Sequence, residues 1–281
     1  MPARAVINQV SIAAFTTDKR VIMVSALRSG SSARLGLIWI VLASLVTACG
    51  RPNSGRSSPE INVATAANLT RAFAEVGQAF ERQAGIHVTF SFGATTQLAQ
   101  QIEHGAPYDV FAAADTEHVD QLARKGNVIP DTQAIYARGK LVLWVPDSRV
   151  PVDGLQDLTR AEVKHVALAN PQFAPYGQAA VETLKSLRIW DAVQPKVVFA
   201  QNVSMATQYA ATRNADAAFT ALALVYDQGG RKIPIAENLH QPIDQAIAVV
   251  RGSRRPDEAR KFIEFVLSAP AKEILKRYGY E

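Results

Sequence analysis

Residues 86–113, IHVTFSFGATTQLAQQIEHGAPYDVFAA, change their hydrophobic period twice. Ile86, Val88, Phe90 and Phe92 alternate with polar residues, the pattern of a strand with one buried face. Leu98 and Ile102 then stand one helical turn apart, in a helix that should end near Gly105, and Tyr108 to Ala113 reads as strand again. Strand, helix and strand in succession is the signature of an α/β domain with a largely parallel sheet.

The pattern extends in both directions. Upstream, Ile61 to Ala64 forms a short apolar strand, and Leu69, Phe73, Val76 and Phe80 recur at helical spacing until Gly85. Downstream, strands are expected at Lys140–Val145, His165–Ala169, Lys196–Phe199, Asp216–Thr220 and Ala246–Val250. Helices are expected at Gly177–Leu187, Val203–Arg213, Asp257–Leu267 and Ala271–Tyr278. A Pro-, Asp- and Ser-containing stretch after Val145 marks a change of region, and two α/β lobes of roughly a hundred residues each fit the length.

The composition is that of a globular protein, 48% hydrophobic and 20% charged, and a single cysteine excludes a disulfide-stapled fold. The net charge of +5 does not point to nucleic acid, because of where the excess lies. Arg4, Lys19, Arg20, Arg28 and Arg34 stand against Asp18 alone before residue 49, which leaves a net charge of about +1 for the remainder. Leu35 to Ala48, LGLIWIVLASLVTA, follows Arg28 and Arg34 as the apolar core of an export signal, too short for a comfortable membrane span. It ends in Val46-Thr47-Ala48-Cys49, which resembles a bacterial lipoprotein box, so Cys49 is expected to carry a lipid. Met23 would give this signal a more typical length than Met1. Residues 50–59, GRPNSGRSSP, form a flexible leash with a root-mean-square span of about 15–20 Å. The folded body is therefore expected to start near Glu60 and to work outside the cytoplasm beside a membrane.

Enzymatic signatures are missing from the sequence: there is no G-x-S-x-G elbow, H-E-x-x-H or Walker loop. His87, His104, His118, His165 and His240 are dispersed at spacings that suit no metal site, and Asp109 and Asp115 fall at opposite ends of one strand. What recurs is a junction, in which a strand runs through small or hydroxyl residues into a helix. It occurs at Thr65–Asn68, Gly93–Thr96, Ala174–Gly177 and Gln201–Ser204. Helix N-termini expose unpaired N–H groups and carry roughly half a positive charge each. Four of them facing one cleft would suit a small dianion, although Asn68, Thr95 and Ser204 would equally serve as ordinary helix caps.

The motifs VATAANLTRAF (63–73), SFGATTQLAQQIEHGAPYDVFAAAD (91–115), NPQFAPYGQAA (170–180), QNVSMATQYAATRNADAAF (201–219) and AIAVVRGSRRPDEARKFIEFVLSAPAKEILKRYGY (246–280) carry a further signal. Together they resemble the molybdate-binding proteins of bacterial molybdate ABC importers, which are class II periplasmic binding proteins. The resemblance implies a two-lobed α/β fold, with residues 60–142 and 246–281 in one lobe and 143–245 in the other. It also implies a monomeric, lipid-anchored receptor that closes on molybdate or tungstate, uses no cofactor and delivers the ion to a membrane permease. The ligand positions of the family fall here on Asn68, Thr95, Tyr176 and Val203. Thr220 stands where a donor tyrosine often follows the late strand, and Tyr176 replaces a smaller residue. A receptor for another oxyanion such as sulfate is the alternative, and an anchored enzyme using Asp109 or Asp115 is a third. Without Lys or Arg in the four loops, a bound dianion would be balanced by dipoles and neutral donors.

Overall fold

The computed structural model describes residues 59–281. The expected export signal, Cys49 and most of the expected leash lie outside the described residues. Ten strands form two five-stranded sheets of the same design. The first is ordered β2 (His87–Gly93), β1 (Glu60–Ala66), β3 (Val110–Ala112), β10 (Ile243–Val249), β4 (Ala134–Gly139). The second is ordered β7 (Val197–Ala200), β6 (Val166–Ala169), β8 (Ala217–Ala221), β5 (Leu141–Val145), β9 (Arg231–Pro234). In each sheet the first three strands are parallel, the fourth is antiparallel to both neighbours, and the fifth therefore runs with the first three.

The reversed strands, β10 and β5, are the ones that follow a change of sheet. The chain leaves the first sheet at Lys140 and returns between Pro234 and Ile243. The sequence reading placed these points slightly later, at 142/143 and 245/246. Sequence periodicity also missed β4 and the helix α3 (Glu117–Arg124). α3 carries only two buried side chains, Val119 and Leu122, so its apolar stripe is short.

Helices α1 (Thr70–Ala84), α2 (Thr95–Glu103), α4 (Pro175–Ser186), α5 (Trp190–Val193), α6 (Val203–Ala211), α7 (Leu222–Val225), α8 (Pro256–Leu267) and α9 (Ala269–Arg277) complete the fold. α1 begins after a short 3-10 turn, Ala67–Leu69. It buries Phe73, Val76 and Phe80, and Phe80 meets Phe262 of α8 edge-on with ring centroids 5.2 Å apart. Such a pair is worth about 0.5–1.5 kcal/mol beyond its buried area. Phe92 departs from the alternation expected of β2: it is 38% exposed, because β2 is an edge strand, and it stacks on Phe90.

One glycine sets how closely a helix approaches its strand. Gly177, in the first turn of α4, sits where a Cβ would lie 2.1 Å from the carbonyl oxygen of Ala169 at the end of β6. The contact is with backbone, so no rotamer change relieves it. We expect Gly177→Ala to destabilise the fold by about 1–3 kcal/mol, the scale of overpacking, measured as a lower urea midpoint. An unchanged midpoint would show that α4 can move away from β6 freely.

Candidate functional site

The C-terminal ends of β1, β2, β6 and β7 lead into helices that converge on one small, nearly closed pocket of about 10 Å³. It is lined by Ala67 and Asn68, Ala94 and Thr95, Pro175 and Tyr176, and Asn202 and Val203, with Ala114 beside them. Two junctions come from the first sheet and two from the second. The lining residues carry no charged side chain. This is the strand C-terminal edge at which open α/β sheets bind ligands.

Asn68 and Thr95 are each 1% exposed, and neither acts as a helix cap. The N-cap of α1 is Leu69 and that of α2 is Ala94, and neither makes a side-chain capping bond. The cap of α6 is Asn202, whose side chain accepts from Met205 N at 2.9 Å. Thr95 Oγ1 accepts from Ala114 N at 3.2 Å, and none of the described residues accepts its proton. Asn68 donates through Nδ2 to Gln245 Oε1 at 2.9 Å and to the Tyr280 hydroxyl at 3.0 Å. Asn68 Oδ1 is, among the described residues, the one buried side-chain polar atom without a partner.

Tyr176 and Val203 lie in the first turns of α4 and α6, where backbone N–H groups have no carbonyl four residues back. The Tyr176 phenol is turned toward the strand crossing, where it accepts from Gln245 Nε2 at 3.3 Å and packs against Gly139. A Cβ on Gly139 would lie 2.0 Å from the Tyr176 hydroxyl, so that glycine is required there. Thr220 does not line the pocket. Fully buried in β8, it bonds to Thr207 Oγ1, which itself donates to Val203 O at 2.8 Å, so Thr220 braces the start of α6.

Burial holds the phenol pKa of Tyr136, Tyr176 and Tyr280 well above the ordinary value, so all three keep their protons at any physiological pH. Tyr136, Tyr280 and Gln245 escaped sequence reasoning. The available signal was a glutamine inside the apolar run Ile243–Val250, and it is 0% exposed.

The two halves also touch around the pocket. Thr96 N donates to Phe173 O at 3.2 Å, Gln201 bonds Gln97 at 3.2 Å, and Arg71 forms a two-pronged ion pair with Asp227 while lying 5.0 Å from the Tyr226 ring. A larger open groove of about 710 Å³ runs along β4 and α9 and is bordered by Lys272, Lys276 and Glu281. Among the described residues, none of the four junctions lines it.

Asp109, one of the carboxylates considered from sequence, is consumed by Asn62 N at 2.8 Å and Ser253 Oγ at 2.6 Å. Asp115 instead bonds His118 Nδ1 at 2.7 Å, and His118 Nε2 meets Thr96 Oγ1 at 2.9 Å. Burial opposes the charged form of His118, but the Asp115 hydrogen bond and the negative charges of Asp115, Glu117 and Glu103 outweigh it, so its pKa is raised. A raised pKa contributes stability that is complete below the unfolded value near 6.5 and is lost as pH climbs through the folded value. We expect melting temperature to step down over that interval by the equivalent of no more than about 1 kcal/mol, and the step to vanish in His118→Gln. Superimposable pH profiles of the two proteins would show that the ring is neutral in the fold.

Comparison with known proteins agrees with this architecture. The family model for bacterial extracellular solute-binding proteins matches residues 61–281. The molybdate-binding protein ModA of Rhodobacter capsulatus is 35% identical over 222 residues, 79% of this chain and 88% of that protein. ModA of Azotobacter vinelandii is 34% identical over 251 residues, 88% of this chain and 97% of that one. The solved structure of the Azotobacter vinelandii periplasmic molybdate-binding protein superposes with a TM-score of 0.76 at 30% identity, covering 79% of this chain and 98% of that chain. With its two α/β lobes and the pocket between them, the chain belongs to the bacterial extracellular solute-binding protein family.

Proposed function

We propose that the protein is the extracytoplasmic receptor that captures molybdate, or tungstate, and delivers it to an ABC importer. The observation that carries this reading is the convergence of four strand–helix junctions, two from each half, on one uncharged pocket. Four N-termini at roughly half a charge each match a dianion without any cationic side chain. The molybdate-binding relatives named above support the choice of ion.

In this reading Asn68 and Thr95 donate through their side chains, and Tyr176 and Val203 through their backbone N–H groups. Thr220 acts behind the site as a brace rather than as a ligand. The contacts of Thr96 with Phe173 and of Arg71 with Asp227 would form as the lobes close on the ion. The protein works as a monomer held to the membrane by a lipid on Cys49. Its relatives are solute-binding proteins, which supports binding rather than catalysis as its role, with the Thr96, His118 and Asp115 line tying α2 to the Asp115 loop.

Calorimetric titration with molybdate, tungstate, sulfate and phosphate tests the proposal. Molybdate and tungstate should bind similarly, with sulfate weaker by about ten-fold or more. Its shorter bonds leave some donors out of reach, and each lost charge-assisted hydrogen bond costs about 1.5–3 kcal/mol. Equal or tighter binding of sulfate would assign the other oxyanion receptor class. Thr95→Val should weaken molybdate binding about ten- to a hundred-fold with little change in melting temperature. Tyr176→Phe should weaken binding less than Thr95→Val does, since its phenol is directed to Gln245 and not to the ion. Cys49→Ser should move the protein from the membrane to the soluble fraction.

A further inference from the structure

The buried amides of Asn68 and Gln245 form, with three tyrosines, a closed hydrogen-bonded cluster between the pocket and the strand crossing. Asn68 is 1% and Gln245 0% exposed, and the pairing of β10 with β4 is irregular next to Gln245. Such irregularities re-aim a side chain. As arranged, Asn68 Nδ2 donates to Gln245 Oε1 and Tyr280, Gln245 Nε2 donates to Tyr176, and the Tyr280 hydroxyl donates to Asn68 O at 2.9 Å. The single proton of Tyr136 has two acceptors within reach, Ala113 O at 3.0 Å and Gln245 Oε1 at 2.9 Å. Two groups remain unmatched: Asn68 Oδ1 has no donor, and no described residue accepts the Tyr176 proton.

The two ends of a carboxamide are alike in size, so a half-turn changes only which end donates. With both amides turned, Gln245 Nε2 would give one proton to Asn68 Oδ1 and the other to the Tyr136 oxygen. Tyr136 would donate to Ala113 O, and Tyr176 to Gln245 Oε1. Gln245, Tyr136 and Tyr176 would then be matched, the single Tyr280 proton would have two acceptors, Asn68 O and the turned Asn68 Oδ1, and the Asn68 amino group would occupy the place of the unpartnered oxygen at the pocket, its protons left for the ion. Turning Asn68 alone would set two carbonyl oxygens against each other across the 2.9 Å contact.

We infer that Gln245 is the positioning residue that makes Asn68 a donor: when the oxyanion binds, the two amides are held in the turned arrangement, and the new Tyr176 to Gln245 bond ties the second half to the crossing strand. This rests on the oxyanion reading of the pocket given above. An oxygen facing the ion would repel it, whereas an amino group supplies a charge-assisted bond.

The test combines side-chain amide NMR of the nitrogen-labelled protein with a double-mutant cycle on molybdate affinity, using Gln245→Met and Asn68→Ala. In the parent protein, molybdate should shift the amino resonances of both Asn68 and Gln245, assigned by their loss in the variants. Gln245→Met should weaken binding about ten-fold and abolish the Asn68 shift. In the Asn68→Ala background the same change should cost less than about two-fold, because its effect runs through Asn68. Tight molybdate binding with unmoved Asn68 amino resonances, or fully additive losses, would overturn the inference and leave the receptor reading standing. Failure of the parent to bind molybdate at all would overturn both. The resonance shifts in the parent decide the matter even if Gln245→Met folds poorly.

Discussion

A dianion can be held in a dry cleft without a salt bridge only where enough oriented dipoles end on it, since an uncompensated charge in a low-dielectric site is costly. The parallel β–α unit supplies such dipoles, because each strand delivers its helix N-terminus to the same edge of the sheet. Here the constraint is met twice, by β1 and β2 of one sheet and by β6 and β7 of the other. The two sheets share one strand order with one reversed strand each, so their binding edges can meet across the crossing strands.

The rest of the structure serves that convergence. Ala66, Ala67, Ala94, Ala114 and Ala174 keep the pocket lining short. Gly177 lets α4 approach β6, and Gly139 leaves room for the Tyr176 phenol to turn away toward Gln245. Behind the lining, Thr220 braces α6 through Thr207, and His118 with Asp115 braces α2 through Thr96. The contacts of Arg71 with Asp227 and of Thr96 with Phe173 join the two halves around the pocket.

Much of the architecture was legible in the sequence because each element carried its own period. The alternation at Ile86 to Phe92 and the helical spacing from Leu69 to Phe80 recur in the structure as β2 and α1. β4 was missed since Ala134–Gly139 owes its place to pairing with the distant β10, information that local patterning does not hold. The four junctions were legible as a set because small residues precede helix starts at each. The fate of individual side chains was not. Thr220 holds a position where the resemblance implies a donor, and only the fold shows that its buried hydroxyl is engaged by Thr207. Gln245 went unread because a polar residue inside an apolar run acquires meaning only from what the fold brings against it.

The central claim is that neutral donors and backbone dipoles, not a cationic side chain, hold the ion. The most direct measurement is molybdate affinity as a function of chloride concentration, from low salt to about 1 M, where the screening length shrinks to about 3 Å. The account predicts a nearly constant dissociation constant, because the donors are buried among residues that carry no charge and exclude the bulk electrolyte. A steep, ten-fold or greater loss of affinity across that range would contradict it and would mean that exposed lysine or arginine charge draws in and holds the ion.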